Sequence, residues 1–421
     1  MEDREKLMTE STPCTPLNKQ VKKFRKKKTM SKMISSHLNT INQISTQKSV
    51  LRSREIDQQL MQDQELRKKE IQILVLGNRN SGKTTFLKQF RIHHGDGYPY
   101  LQRAILVPDI LSNLADAIHI VMDNMARWDL RFEDPYVQTL AKDFHNNCPR
   151  SPALSNNPHN LFKSIQNNSP RPFNRFCKTV NRITDFCLHI KNISDQDDFQ
   201  ECLDCKEFFK PSITYADLYF IQNIDRLIQA DYTPTLQDIM VMRKPTYSVK
   251  DFIFNLGGIT LRFIDLGGYK CQRKKFIHYF EGVSTVFYFC ALSEYSEIIE
   301  ETTKNKLNNS LENFEEIINN KYLWRKDFVI FLNKSDLFKS KVENLSINVF
   351  FSDFEGNPSD VEDGINFFRM KFLSLKPANA PKTKKIYTHV TCCLDIDKMK
   401  FIIKQIIQNM LDSNVKRMTL F

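Results

Sequence analysis

The stretch "IQILVLGNRNSGKTTFLKQF", residues 71–90, decides the fold. An apolar, strand-like run stops at a glycine, a polar loop follows, and a helix-forming segment begins. Residues 77–85, "GNRNSGKTT", fit the spacing GxxxxGK[ST] between a strand and a helix. Gly77 and Gly82 let the backbone curl, so that the N–H groups of Asn78, Arg79, Asn80 and Ser81 and the start of the next helix face an anion. Lys83 adds a cation for β and γ phosphates, Thr84, the motif's last position, offers an oxygen to Mg²⁺, and Thr85 after it is counted with the nucleotide-binding residues. The pattern implies a bound nucleotide polyphosphate.

Further short apolar runs, each closed by a polar loop, follow downstream: "LRFIDLGG" (261–268), "VFYFCAL" (286–292), "DFVIFLN" (327–333) and "IYTHVTC" (386–392). Helix-like stretches separate most of them. The last helix is "DKMKFIIKQIIQNML" (397–411), with Met399, Ile402, Ile403, Ile406, Ile407 and Met410 on one face. Buried strands alternating with helices predict an α/β fold: a mostly parallel sheet covered by helices on both faces. The interval 95–235 is too long for one crossover. It holds "DILSNLADAIHIVMDNMARW", where Ile110, Leu114, Ile118, Val121, Met122 and Met125 make a helical stripe, and "YADLYFIQNIDRLI". The spacing predicts an inserted all-helical domain, with an Asn-, Ser- and Pro-rich loop at 146–175.

"FLNKSDLF" (331–338) selects the base. The carboxylate of Asp336 can accept from both N1–H and the 2-amino group of guanine, two donors that adenine lacks. Asn333 braces the site and the stem of Lys334 covers the base plane. "TCCLD" (391–395) follows the final strand; Thr391 belongs to this loop, and it is expected to bring the N–H groups of Cys392 and Cys393 to the base edge.

The chain has 421 residues, 41% of them hydrophobic, and so has a core to bury. No apolar run approaches the eighteen or so residues of a spanning helix, and "MEDREKLMTE" lacks the order of a signal peptide. The ten cysteines are scattered rather than framed as a disulfide scaffold. "CLDC" (202–205) has the spacing of half a zinc site, with no second pair to complete it. Net charge is +12, and seven basic residues crowd "KQVKKFRKKK" (19–28) with no acidic one. Such a run stays solvated and suits an anionic membrane surface, which would weigh about 1 kcal/mol per basic residue, ahead of nucleic acid. Glu2 stands where N-myristoylation needs glycine. Residues 1–48 read as a basic tail and 49–69 as an exposed helix with one thin apolar stripe.

These motifs resemble the alpha subunits of heterotrimeric G proteins over roughly residues 50–421. "YTPTLQDIMVMRKPT" (232–246) is similar to that family's first switch segment, "IDLGGYKCQRKKFIHYFEGV" (264–283) to its second, and "THVTCCLD" to its last base-contacting loop. The resemblance implies a Ras-like GTPase domain from 70–94 and 236–421, with the helical domain at 95–235 inserted. It also implies that Arg243 is a built-in arginine finger and Thr246 a second Mg²⁺ ligand. Asp265 would hold Mg²⁺ through water, and the Gly268 N–H would bond the γ-phosphate. Expected ligands are GTP and GDP. Expected partners are a beta-gamma dimer on the N-terminal helix, a seven-helix receptor at the C-terminal "KRMTLF", and an effector. The expected site is cytoplasmic, peripheral on the inner face of the plasma membrane.

The departures are as informative as the match. Tyr269 stands where the family carries a glutamine that orients the attacking water, and one phenolic oxygen cannot both donate and accept in that geometry. Losing one preorganised contact of this kind costs on the order of 10²–10³ in rate, which predicts a slow GTPase. The alternative is a GTP-binding module without useful hydrolysis, resting GTP-bound. Asn80 replaces a P-loop glutamate that can pair with the switch arginine, and Tyr215 and Ala216 replace a polar pair of the helical domain.

Overall fold

The computed structural model describes residues 52–54, 56–59, 61, 70–148, 190–204, 213–229, 231–244, 249–267, 279–280, 282–299, 302–381 and 383–418. The chain divides into two compact units, Met1–Glu70 and Ile71–Phe421. In the first, the described residues 52–54, 56–59 and 61 are helical and exposed. The tail 1–48 lies outside the described residues, as does Cys205 of the "CLDC" pair.

The second unit is built on a six-stranded sheet. Its strands are β1 (Glu70–Gly77), β2 (Lys250–Leu256), β3 (Ile259–Asp265), β4 (Thr285–Ala291), β5 (Asp327–Asn333) and β6 (Ile386–Thr391), in the order β2-β3-β1-β4-β5-β6. β1 pairs parallel with β4, β4 with β5, and β5 with β6, so their C-terminal ends gather at one edge. β2 runs antiparallel to β3 across a turn at Gly257 and Gly258, both with positive φ.

Successive residues of a strand face opposite ways, which is why the central strands are apolar throughout. Leu74, Leu76, Val286, Tyr288, Ile330 and Leu332 bury one face against Phe314, Phe338, Phe368 and Phe372. Ile73, Val75, Phe287, Phe289, Val329 and Phe331 bury the other. That second face is covered by α1 (Lys83–His94) through Phe86 and Phe90, and by the C-terminal helix Ile396–Met418 through Met399, Ile403, Ile406 and Met410. Phe289 and Phe331 stack at 4.2 Å, with Phe86 4.9 Å from Phe331. Each buried ring contributes about 1.5–3 kcal/mol. The P-loop helix is thereby seated on the strands that carry the base motif.

Between α1 and β2 lie α2 (Tyr100–Ile105), α3 (Val107–Arg127), α4 (Pro135–Asn147), α5 (Asp197–Asp204), α6 (Tyr215–Gln222), α7 (Ile224–Leu227) and α8 (Leu236–Val241). The stripe on α3 holds: Ile110, Leu114, Ile118, Val121 and Met125 are buried among Phe144, Phe199, Phe220 and Ile224, with Met122 half-buried beside them. Tyr100–Arg127 passes for a membrane span by length and mean composition alone, while Asn113, Asp116 and Asp123 interrupt its apolar residues, so no unbroken apolar run of that length occurs in it. Most of it is buried in this helical core.

Candidate functional site

The P-loop turns on two glycines whose positions admit no side chain. Gly77 (φ +143°) would bring a Cβ to 2.3 Å from the Phe289 carbonyl oxygen, and Gly82 (φ +102°) to 2.0 Å from Asn333 Nδ2. Asn80 also adopts a left-handed φ of 61°. Ser81 Oγ donates to the Asn78 carbonyl at 2.8 Å, and Asn313 holds the Asn78 side chain at 2.7 Å. Lys83 is 6% exposed and donates from Nζ to the carbonyls of Gly77 (3.1 Å) and Asn78 (2.6 Å). Its charge is thus held over the loop. Arg79 and Asn80 are exposed, and Thr84 and Thr85 are half-buried in the first turn of α1.

Asn333, at the end of β5, ties that loop to the base end. Its Nδ2 donates to the Ser81 carbonyl at 2.9 Å, and its Oδ1 accepts from Thr391 Oγ1 and from the Cys393 N–H, each at 3.1 Å. The Cys393 N–H, expected at the base edge, is thus engaged by Asn333. Lys334 follows in a left-handed conformation (φ 60°) and is half-buried, while Asp336 is exposed. Burial first, and then the neighbouring Asp336 carboxylate, push the Cys392 thiol up to about 11, so the two loops converge.

Asp265, at the end of β3, is 1% exposed. Its Oδ1 accepts from the Gly267 N–H at 3.0 Å, while Oδ2 is buried without a hydrogen-bond partner. Burial raises its pKa above the usual aspartate value, against the opposing pull of Lys83. An orphaned carboxylate oxygen near the P-loop lysine suits a hydrated divalent cation. Thr246, Gly268 and Tyr269 lie outside the described residues.

Arg243 is delivered by α8, whose N-terminus is fixed by Asp238. That carboxylate is fully buried and accepts from Arg226 (2.7 and 2.8 Å), Tyr219 (2.7 Å), Tyr232 (2.9 Å) and the Thr235 N–H (2.8 Å). Burial alone favours its protonated form, but these donors outweigh it and hold the carboxyl well below the usual range. Just beyond α8, the Arg243 N–H donates to Asn113 Oδ1 at 2.7 Å, and Asn113 Nδ2 returns a bond to the Arg243 carbonyl at 3.1 Å. The guanidinium donates to Thr214 Oγ1 and lies 3.8 Å from Asp217 Oδ1. Lys244 pairs with Asp109 at 3.1 Å.

Asn113, Thr214, Asp217, Asp238 and Lys88 were not singled out from sequence. Three of them, Thr214, Asp217 and Asp238, carried a signal: "TYAD" (214–217) and "TLQD" (235–238) are S/T-x-x-acid capping boxes, and both boxes form.

Comparison with known proteins agrees with this geometry. A family model described as "G-protein alpha subunit" matches residues 50–410. The chain is 29% identical over 390 residues to the "Guanine nucleotide-binding protein alpha-8 subunit" of Caenorhabditis elegans, covering 92% of this chain and 99% of that one. It is 30% identical over 374 residues to the "G-protein complex alpha subunit gpaA" of Aspergillus fumigatus, covering 87% and 95%. A "Guanine nucleotide-binding protein subunit alpha" of Cochliobolus heterostrophus is likewise 30% identical, over 370 residues. With a P-loop and a guanine-type base motif joined through one buried asparagine, and the family match running through both, this chain belongs to the G-protein alpha subunit family of guanine nucleotide-binding signal transducers.

Proposed function

We propose that the chain is the alpha subunit of a heterotrimeric G protein that carries a signal from a seven-helix membrane receptor to an effector, with slow GTP hydrolysis. The observation that carries this is the Asn333 bridge, which holds phosphate loop and base loop in one hydrogen-bonded frame. In this reading the P-loop N–H groups and Lys83 bind the β and γ phosphates, and Asp336 accepts from guanine. Arg243 bridges charge that develops on the γ-phosphate and the leaving oxygen. The Gly268 N–H orders the second switch. Thr84, Thr246 and the free oxygen of Asp265 would hold Mg²⁺, directly or through water; bound there, it neutralises phosphate charge. Tyr269 leaves the attacking water poorly oriented, so turnover is slow.

The N-terminal helix and beta-gamma, the basic run 19–28 and an anionic leaflet, and the C-terminal segment and the receptor complete the assembly, peripheral on the inner face of the plasma membrane. Tyr269 also favours the second reading, a GTP-binding module that signals by occupancy without useful hydrolysis. Single-turnover phosphate release from GTP-preloaded protein separates the two. Slow release that stops with Arg243→Ala supports the slow switch; no release over many hours supports the second reading.

A further inference from the structure

The guanidinium assigned to the γ-phosphate is engaged elsewhere. It reaches into the helical insert, to Thr214 Oγ1 and to the 7%-exposed side chain of Asp217. The partner is fixed independently of the arginine. Asp217 Oδ2 closes the capping box of α6, accepting from the Thr214 N–H at 2.8 Å and from its hydroxyl. That leaves Oδ1 for Arg243. Asn113 of α3 grips the arginine's backbone from both sides, and Lys244 adds a second ion pair with Asp109 of α3. None of residues 78–84 of the P-loop is acidic, so that loop offers the guanidinium no carboxylate of its own.

We propose that Asp217 is a positioning residue that parks Arg243 in the helical insert, withholding it from the γ-phosphate and, through the same bond, fastening the insert over the bound nucleotide. The inference rests on the reading of Arg243 as the arginine finger. Its parts are a carboxylate on α6 and a cap that fixes its orientation. Only one of the two events can occupy the guanidinium at a time, so parking and transition-state stabilisation compete.

The test uses the full chain loaded with a fluorescent GDP analogue, and separately with GTP. Asp217→Asn keeps an oxygen for the cap and removes the charge. Expected at low salt are nucleotide dissociation and single-turnover hydrolysis each about three- to tenfold faster than in the wild type, as for a half-exposed ion pair. In the wild type, raising salt should accelerate dissociation, a response that a purely structural cap would not give. In an Arg243→Ala background, Asp217→Asn should alter neither rate. The proposal is overturned if Asp217→Asn leaves either rate unmoved, or moves dissociation equally without Arg243. If Arg243→Ala hydrolyses GTP like the wild type, it is the finger assignment that fails. The coupling seen in dissociation still decides whether the two residues are paired.

Discussion

Lys88 Nζ, on the P-loop helix, donates to the carbonyl of Met242 at 2.7 Å, one residue before the arginine. It also donates to the Ile239 carbonyl at 2.8 Å. The segment that delivers Arg243 is therefore held both by the helix that follows the P-loop and by the helical insert.

A first prediction concerns pH. Burial, and second the nearby Lys244, push the Lys88 pKa down from 10.5 to about 7. Between these values the unfolded chain binds a proton that the folded chain does not, so stability rises with pH from about 7 to 10.5 and is flat below. Denaturant unfolding of wild type and Lys88→Met across pH 6.5–9.5 should show the wild type gaining on the variant as pH rises, by on the order of 1 kcal/mol per pH unit. The carbonyls orphaned in Lys88→Met set a constant offset and do not alter the slope. A pH-independent difference would show that Lys88 stays charged.

Guanine selectivity should reside in Asp336. Asp336→Asn keeps one oxygen to accept from N1–H but puts an NH₂ donor where the 2-amino group of guanine needs an acceptor, which suits the 2-carbonyl of xanthine, so preference should move from GTP toward xanthosine triphosphate. Competition binding measures this directly, and unchanged GTP affinity would refute the assignment.

Restoring an amide with Tyr269→Gln should raise single-turnover hydrolysis by about one to three orders of magnitude, with little change in nucleotide affinity. Adding Arg243→Ala should remove most of the gain, because both groups act on one transition state. A wild type as fast as Tyr269→Gln would mean that another residue orients the water.

Asn333→Ala should be costly out of proportion to its size. It strands the Ser81 carbonyl and the Cys393 N–H inside the protein and opens space beside Gly82, with an expected loss of about 2–4 kcal/mol in unfolding free energy. Nucleotide affinity should fall with it. Calorimetry of unfolding and a GDP titration check the two effects.

What the sequence made legible follows from how local each signal is. β1, β4 and β5 are buried on both faces and read as unbroken apolar runs. β2 escaped notice because only alternate residues turn inward: Phe252, Phe254 and Leu256 point in, while Asp251, Ile253 and Asn255 are exposed. That alternation and the Gly257–Gly258 turn were the available signal. The P-loop was visible because its chemistry lies within nine residues. Asn113 was not, because its partner Arg243 is 130 positions away and one exposed-looking asparagine in a helix carries no pattern. Asp217 was hidden differently: its capping role is local, and only the fold reveals the second oxygen facing the arginine.

The Asn333 bridge has a consequence for how tightly whole nucleotides are held. One amide joins the carbonyl of Ser81 to the N–H of Cys393, so under the proposed function the phosphate and base subsites would act as the two teeth of a chelate. Whichever end of a nucleotide docks first stiffens the frame that receives the other, so the second contact forms without a fresh ordering cost. Guanosine alone or pyrophosphate alone should then bind poorly, and GDP far more tightly than the product of the two affinities would suggest. Such a chain would read base and phosphate as one object.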